Sequence, residues 1–169
     1  MGSSRTSRSR TVVEVRAAEA ADEGPLAVLD RAAWTPFSSP GPLDEAEPFF
    51  NERNPRDGVL VAVMEGEVAG YVRVQRPTRF RSSDHVLTIS GVAVDPARQG
   101  QGIGRALMEA AIAEARRRGA RRLTLRVFSP NERARRLYES VGFVVEGVLR
   151  DEFFLDGRYV DDVLMAFVL

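Results

Sequence analysis

The chain has 169 residues, with 24 basic and 24 acidic side chains, a single histidine and no cysteine, and every basic residue is an arginine. That length suits one domain with a full core. The missing thiols exclude disulfides, thiolate metal sites and cysteine nucleophiles, and the missing lysines exclude Schiff-base chemistry and a Walker-type phosphate loop.

His85 alone argues against a multi-histidine zinc site, so no metal is expected. Zero net charge gives no global drive toward nucleic acid or an anionic membrane. No apolar run approaches the roughly 18 residues that span a bilayer. A cytoplasmic protein is therefore expected.

Residues 1–10, "MGSSRTSRSR", read as a disordered tail without the apolar core of a secretory signal. Gly2 and Thr6 match a loose myristoylation pattern too short to outweigh that reading. Residues 11–169 read as one domain. "TVVEVRAA" (11–18) alternates as a strand, and Leu26, Leu29 and Ala33 space a helix from about Asp22, its expected cap. "WTPFSSPGPLDEAEP" (34–48) carries four prolines and reads as a surface loop. A short helix is expected over Phe49 to Arg53. Two apolar runs meeting at Glu65–Gly66 form a hairpin. "HVLTISGVAV" (85–94) is a strand with Gly91 marking a bulge or a close approach.

A helix follows, with a stripe of Ile103, Leu107, Ala110 and Ala111 and a stop at Gly119. Strand 121–128 leads to a second helix, where Ser129 and Glu132 stand at capping-box spacing and Gly142 is the stop. Strands 143–154 and 159–168 close the chain through Asp156–Gly157. The predicted order is β-α-α-β-β-β-α-β-α-β-β, a mixed α/β sheet. The arginine run "RRRGARR" (116–122) has no interleaved aromatics and reads as a solvated helix end.

Between strand and helix lies "DPARQGQGIGRALMEA" (95–110). Glycines ahead of a helix let backbone N–H groups approach a phosphate, and the helix N-terminus adds about half a positive charge. The pattern Gly100, Gly102, Gly104 matches neither a Walker loop nor a dinucleotide fingerprint, and a tight turn without ligand would also explain it.

"VAVDPARQGQGIGRALMEAA" resembles the acetyl-CoA motif of the GNAT family of N-acetyltransferases, Q/R-x-x-G-x-G/A, at Gln99, Gly102 and Gly104. "NERARRLYESVGF" is similar to the family's second signature at Asn131, Ala134, Leu137, Tyr138, Gly142 and Phe143. The resemblance covers about residues 10 to 169, and the end of the chain looks like branches acting on amino acids, peptide N-termini or small amines. It implies a single-domain α/β GNAT fold: a mixed, mostly antiparallel twisted sheet with a splayed parallel strand pair, flanked by helices.

It also implies acetyl-CoA as cosubstrate and direct attack on its thioester by a primary amine, from a small molecule or a peptide N-terminus. Val92, Ala93 and Val94 would pair with the pantetheine arm, and Gln99, Gly100, Gln101, Gly102, Ile103, Gly104 and Arg105 would hold the pyrophosphate. Asn131 and Ala134 would share a cofactor-facing helix face with Tyr138, the expected catalytic proton donor to the departing thiolate. Neither a nucleic-acid nor a membrane partner is expected, and relatives often dimerise.

The base is left unassigned. Many relatives carry a glutamate on the strand before the glycine loop, and "LTISGVAV" has no carboxylate. Asp84, His85, Glu152, Asp161 and Asp162 are candidates, each read first as a solvated charge, with a water chain as an equal option. Of the adjacent Asp161 and Asp162, only one can face the site. Trp34, Phe37 and the proline-rich loop, with the closing hairpin, are expected to shape the acceptor pocket. The competing class is a non-catalytic acyl-CoA-binding sensor or regulatory module.

Overall fold

A computed structural model describes residues 12–39, 41 and 47–169. The expected tail 1–10 with its Gly2 and Thr6 pattern, Thr11, and positions 40 and 42–46 of the proline-rich loop lie outside the described residues.

The elements are β1 (Val13–Ala17), α1 (Glu23–Ala33), β2 (Val59–Met64), β3 (Glu67–Gln75), β4 (Val86–Val94), α2 (Ile103–Arg117), β5 (Arg122–Phe128), α3 (Glu132–Ser140), β6 (Val144–Leu155) and β7 (Arg158–Val168). The strands form one sheet in the order β1-β2-β3-β4-β5-β7-β6. Every pairing is antiparallel except β4 with β5. The main core lies between the sheet and α2, through Ile103, Leu107, Met108, Ala111, Ile112 and Ala115, with Tyr138 of α3 and Phe143 joining it. The opposite face is covered by α1 and Phe49, which pack on Val59, Val61 and Tyr71.

Hairpin chemistry is local, and both hairpins turn where expected. Glu65 and Gly66 (φ 54° and 81°) and Asp156 and Gly157 (φ 49° and 78°) supply paired positive φ angles, as two-residue turns require. The α2 stripe holds too, except that Ala110 is half-buried and Met108 and Ile112 carry the face instead.

Three local expectations are corrected. No helix forms over Phe49–Arg53. Glu23 reaches across from α1 to accept the amides of Phe49 (2.5 Å) and Phe50 (3.1 Å), and Asn51 Oδ1 accepts those of Arg53 and Asn54 (both 3.0 Å). Side-chain acceptors of this kind compete with helical bonding.

Asp22 stands before α1 but its side chain accepts no capping hydrogen bond from that helix. Its carboxylate instead accepts from Arg16 Nη1 (2.7 Å), Arg16 Nη2 (2.9 Å) and the Glu19 amide (2.7 Å), tying β1 to the start of the helix.

The third correction concerns α3, whose cap is Asn131, with Oδ1 accepting from the Ala134 amide (3.3 Å). Ser129 turns away and accepts from the Asp161 amide (3.2 Å), so its hydroxyl joins α3's entry to β7.

The arginines of 116–122 are largely occupied by the chain's own surface. Arg117 pairs with Glu114 (2.8 Å), Arg118 donates to the Val74 carbonyl (3.0 Å) and Arg122 pairs with Glu146 (2.7 Å).

Two stability outcomes follow from these contacts. The Arg16 hydrogen bonds hold Asp22 below its ordinary value of 3.8. The unfolded chain therefore takes up this proton at higher pH than the folded one, and the contribution, full above about pH 4–5, is lost as pH falls through the folded value. Asp22→Asn should cost about 1–2 kcal/mol at neutral pH, given a half-exposed partner, and should flatten the acid side of a stability–pH curve measured in urea. Gly142, which ends α3 at φ 109°, would place a Cβ 2.8 Å from the Phe167 ring. Gly142→Ala should therefore lose about 2–3 kcal/mol in the same assay.

Candidate functional site

The site begins where two strands part. β4 and β5 pair only from Val86 opposite Arg122 to Ile89 opposite Leu125. Beyond that point β4 stays with β3 as far as Val94, and β5 stays with β7 as far as Phe128. A bulge helps to bend β4: Arg73 faces Gly91 and Val74 faces Ile89, so Ser90 is the extra residue. The β4 edge from Ser90 to Val94 is left without a strand partner on its β5 side.

A cleft of about 1060 Å³ fills this opening. Its walls include Val92, Ala93 and Val94 from β4, Gln99, Gly100, Gly102, Ile103, Gly104 and Arg105 around the start of α2, and Asn131, Ala134 and Tyr138 from α3. Of the thirteen residues expected to hold the cofactor or serve catalysis, Gln101 alone is not on the wall; it is exposed. Gly102 caps α2 with φ 83° and ψ 5°, a left-handed conformation costly to a residue with a Cβ, and so turns the free N–H groups of the first helical turn to the cleft. At Gly104 a Cβ would stand 3.0 Å from Leu137 Cδ2, so the missing side chain lets α2 and α3 approach. Arg133 donates to Gln99 Oε1 (2.6 Å), adding a second arginine beside Arg105 at this end.

Tyr138 is 7% exposed, and burial pushes its phenol up to about 12. This phenol therefore keeps its proton over the whole working range of pH.

The far half of the cleft, on the α1 side of the sheet, is polar in a way the sequence did not announce. The Tyr71 hydroxyl donates to Asp30, and burial raises its pKa well above the ordinary range. The Arg73 guanidinium lies 4.3 Å from the Phe49 ring centroid and 5.1 Å from that of Tyr71. Trp34 lines the cleft as expected, with its indole N–H buried and unpartnered among the described residues. Phe37 does not; it lies under Arg158 of the closing hairpin, 4.6 Å from the guanidinium.

Among the base candidates, the structure brings only Asp162 to the cleft. It is 1% exposed, which corrects its reading as a solvated charge, and Arg126 Nε donates to its Oδ2 (2.5 Å). Asp161 faces away and accepts from the Asp151 amide (2.9 Å), Asp84 pairs with Arg76 (2.8 Å), and His85 and Glu152 are off the wall. Asp30, Tyr71, Arg73 and Arg126 were not singled out from sequence. The available signal was a large polar or aromatic side chain at alternate positions of an apolar strand, in "GYVRV" and "TLRVF". Among the described residues there is no cluster of three metal-ligating side chains and no helix long and apolar enough to cross a membrane.

The model of the acetyltransferase (GNAT) family matches residues 26–143. Mycothiol acetyltransferase from Amycolatopsis mediterranei (strain U-32) is 38% identical over 103 residues, which are 59% of this chain and 33% of that protein. The ribosomal protein bS18-alanine N-acetyltransferase of Escherichia coli (strain K12) is 44% identical over 81 residues, 47% of this chain and 53% of that one. The match thus spans about a third and about a half of these two curated relatives. Among solved structures, yncA from Salmonella typhimurium, with its cofactor acetyl-CoA, superposes with a TM-score of 0.77 at 26% identity, over 93% of this chain and 94% of that one.

The buried phenol makes a spectroscopic prediction. Because Tyr138 ionises only at about 12, Tyr138→Phe should leave the rise of phenolate absorbance below pH 11 unchanged. A smaller rise in the variant would show that the wild-type phenol ionises in the ordinary range.

Proposed function

The chain belongs to the acetyltransferase (GNAT) family, and from that premise we propose that it is an acetyl-CoA-dependent N-acetyltransferase of a primary amine. The observation that carries the reading is the unpartnered β4 edge running straight onto the open N-terminus of α2 within one cleft. Acetyl-CoA, when bound, supplies a thioester whose acetyl group is transferred to the amine.

In this reading the free backbone groups of Val92 to Val94 pair with the amides of the pantetheine arm, as an added strand would. The N–H groups around Gly102 to Gly104, with Arg105, receive the pyrophosphate, where the helix dipole favours negative charge. Gln99 orients Arg133 toward the same charge. The capping bond of Asn131 to Ala134 keeps α3 oriented, so that its narrow Ala134 face and Tyr138 stand against the ligand.

Tyr138 serves the departing sulfur. The same burial that pushes the phenol up to about 12 also favours a neutral thiol over a thiolate, so the phenol stands as a proton donor to the sulfur as it departs. It hydrogen-bonds the developing thiolate, and the proton that the amine sheds as the amide forms ends on that sulfur, so the products are the acetylated amine and the free thiol. The attack is direct, with no covalent enzyme intermediate. The acceptor is a small molecule, an amino acid or a peptide N-terminus in the cytoplasm. The expected homodimer has a candidate surface on β6, where Val144, Val148 and Phe154 stand exposed.

The test is free-thiol release from acetyl-CoA over a panel of amino acids, polyamines, aminoglycosides and short peptides. Acceptor-dependent release is expected, with Tyr138→Phe losing about 100-fold in kcat while its acetyl-CoA affinity changes less than about threefold. A protein that binds acetyl-CoA but turns over none of the panel would instead fit the sensor class, which the absence of a β4 glutamate favours. Failure to bind acetyl-CoA or CoA would sink both.

A further inference from the structure

The acceptor half of the cleft holds two charges of opposite sign, each with polar atoms left over. Four of the five cleft arginines are occupied. Arg76 pairs with Asp84 (2.8 Å), Arg105 with Glu109 (3.4 Å) and Arg126 with Asp162, and Arg133 bonds Gln99 (2.6 Å). Arg73 is the exception: it has no acidic partner among the described residues, and its Nε and one Nη are buried without any hydrogen-bond partner.

A guanidinium with buried, unpaired N–H groups is costly unless something pairs with it. This one is also held in place, because it lies over the rings of Phe49 and Tyr71, which fix its plane. Asp30 shares the cleft wall but forms no ion pair with Arg73; its carboxylate accepts from the Tyr71 hydroxyl.

Asp162 complements Arg73. Oδ2 is taken by Arg126, and Oδ1 is buried with no partner among the described residues. Register puts both groups on the same side of the sheet. On β3, Val72 and Val74 point into the α2-side core, which sends Tyr71 and Arg73 to the α1 side. On β7, Val163 and Met165 point into that same core, which sends Asp162 to the α1 side too, beside Phe128. The gap between β4 and β5 lies between them.

We propose that the acceptor is an amino-acid-like zwitterion, whose ammonium group is received by Asp162 and whose carboxylate is received by Arg73. The inference rests on the acetyltransferase reading and narrows its acceptor class. A fork of guanidinium N–H groups matches a carboxylate in plane and in number. The free oxygen of Asp162 accepts from the ammonium and takes one of its protons before attack, because only the neutral amine carries the lone pair that adds to the thioester carbonyl. A polycation would bring a second positive charge against Arg73 and Arg126, with only Asp30, already bonded to Tyr71, to offset it.

The test compares each of the common L-amino acids with its primary amide and its decarboxylated amine, in thiol-release assays with wild type, Arg73→Gln and Arg73→Lys. Acetyl-CoA affinity and the thermal midpoint are read on the same samples. At least one free acid should exceed its amide in kcat/KM by about 100-fold or more, because the amide leaves the guanidinium unpaired. Arg73→Gln should cut that ratio to about tenfold or less, and Arg73→Lys, which keeps the charge without the fork, should fall between. If Arg73→Gln does not fold, the wild-type ratio alone decides. Amides, decarboxylated amines or polyamines turned over as well as the acids, or no acid turned over at all, would overturn the proposal while acetyl-CoA binding leaves the broader reading standing. Loss of acetyl-CoA binding in wild type would instead remove the premise.

Discussion

The parting of β4 from β5 is the constraint on which the rest of the molecule depends. As far as Ile89 and Leu125 the two strands are held together, with Thr88 Oγ1 donating to the Thr124 carbonyl (3.2 Å) in addition to the ladder. After that each strand follows its other neighbour. Backbone groups left bare in a sheet interior are costly unless they meet water or a ligand. Here they border a cleft, and the turn that ends β4 delivers the chain to the N-terminus of α2 at the same opening. One break in pairing thus sets bare strand groups, a helix terminus and the α3 face around one volume.

The same break connects the two sides of the sheet. One side carries the open N-terminus of α2 and the Ala134–Tyr138 face of α3. The other, under α1, carries Tyr71, Arg73, Asp30, Arg126 and Asp162. Arginine dominates the polar chemistry throughout, as it must in a chain without lysine. Its planar group serves three ways here: stacked on Phe49 and Tyr71, bonded to Asp162, and bonded to Gln99. The buried polar groups are mostly paired with one another, so the few atoms that are not, on Arg73, Asp162 and Trp34, mark where the site is specific rather than generic.

Elements governed by their own residues were legible. The hairpins at Glu65–Gly66 and Asp156–Gly157 and the stops at Gly119 and Gly142 follow from local backbone preference and appear where expected, and the β4 bulge falls at Ser90, next to the Gly91 that marked it. The misjudged positions are those where a distant side chain intervenes. Glu23 captures the Phe49 and Phe50 amides from across the α1 face, Arg16 claims Asp22, and the backbone of Asp161 claims Ser129. In each case the residue could satisfy a local motif, and a partner remote in sequence offered a stronger one.

Twelve of the residues expected at the site line the cleft, because the signatures carrying them sit on segments whose geometry is local: a strand edge, a glycine turn and one face of a helix. The sequence by itself determined the phosphate-suited turn, the order of elements save one short helix, and the limits on chemistry imposed by the absence of cysteine and lysine. Only the tertiary structure decided which charges share the α1 side of the cleft. Alternation along β3 or β7 tells which residues share one face of one strand, but not which faces of non-adjacent strands look across the same gap. Arg73 and Asp162 read from sequence as ordinary strand charges; strand order, register and the gap between β4 and β5 put both on the wall of one cleft, on the same side of the sheet.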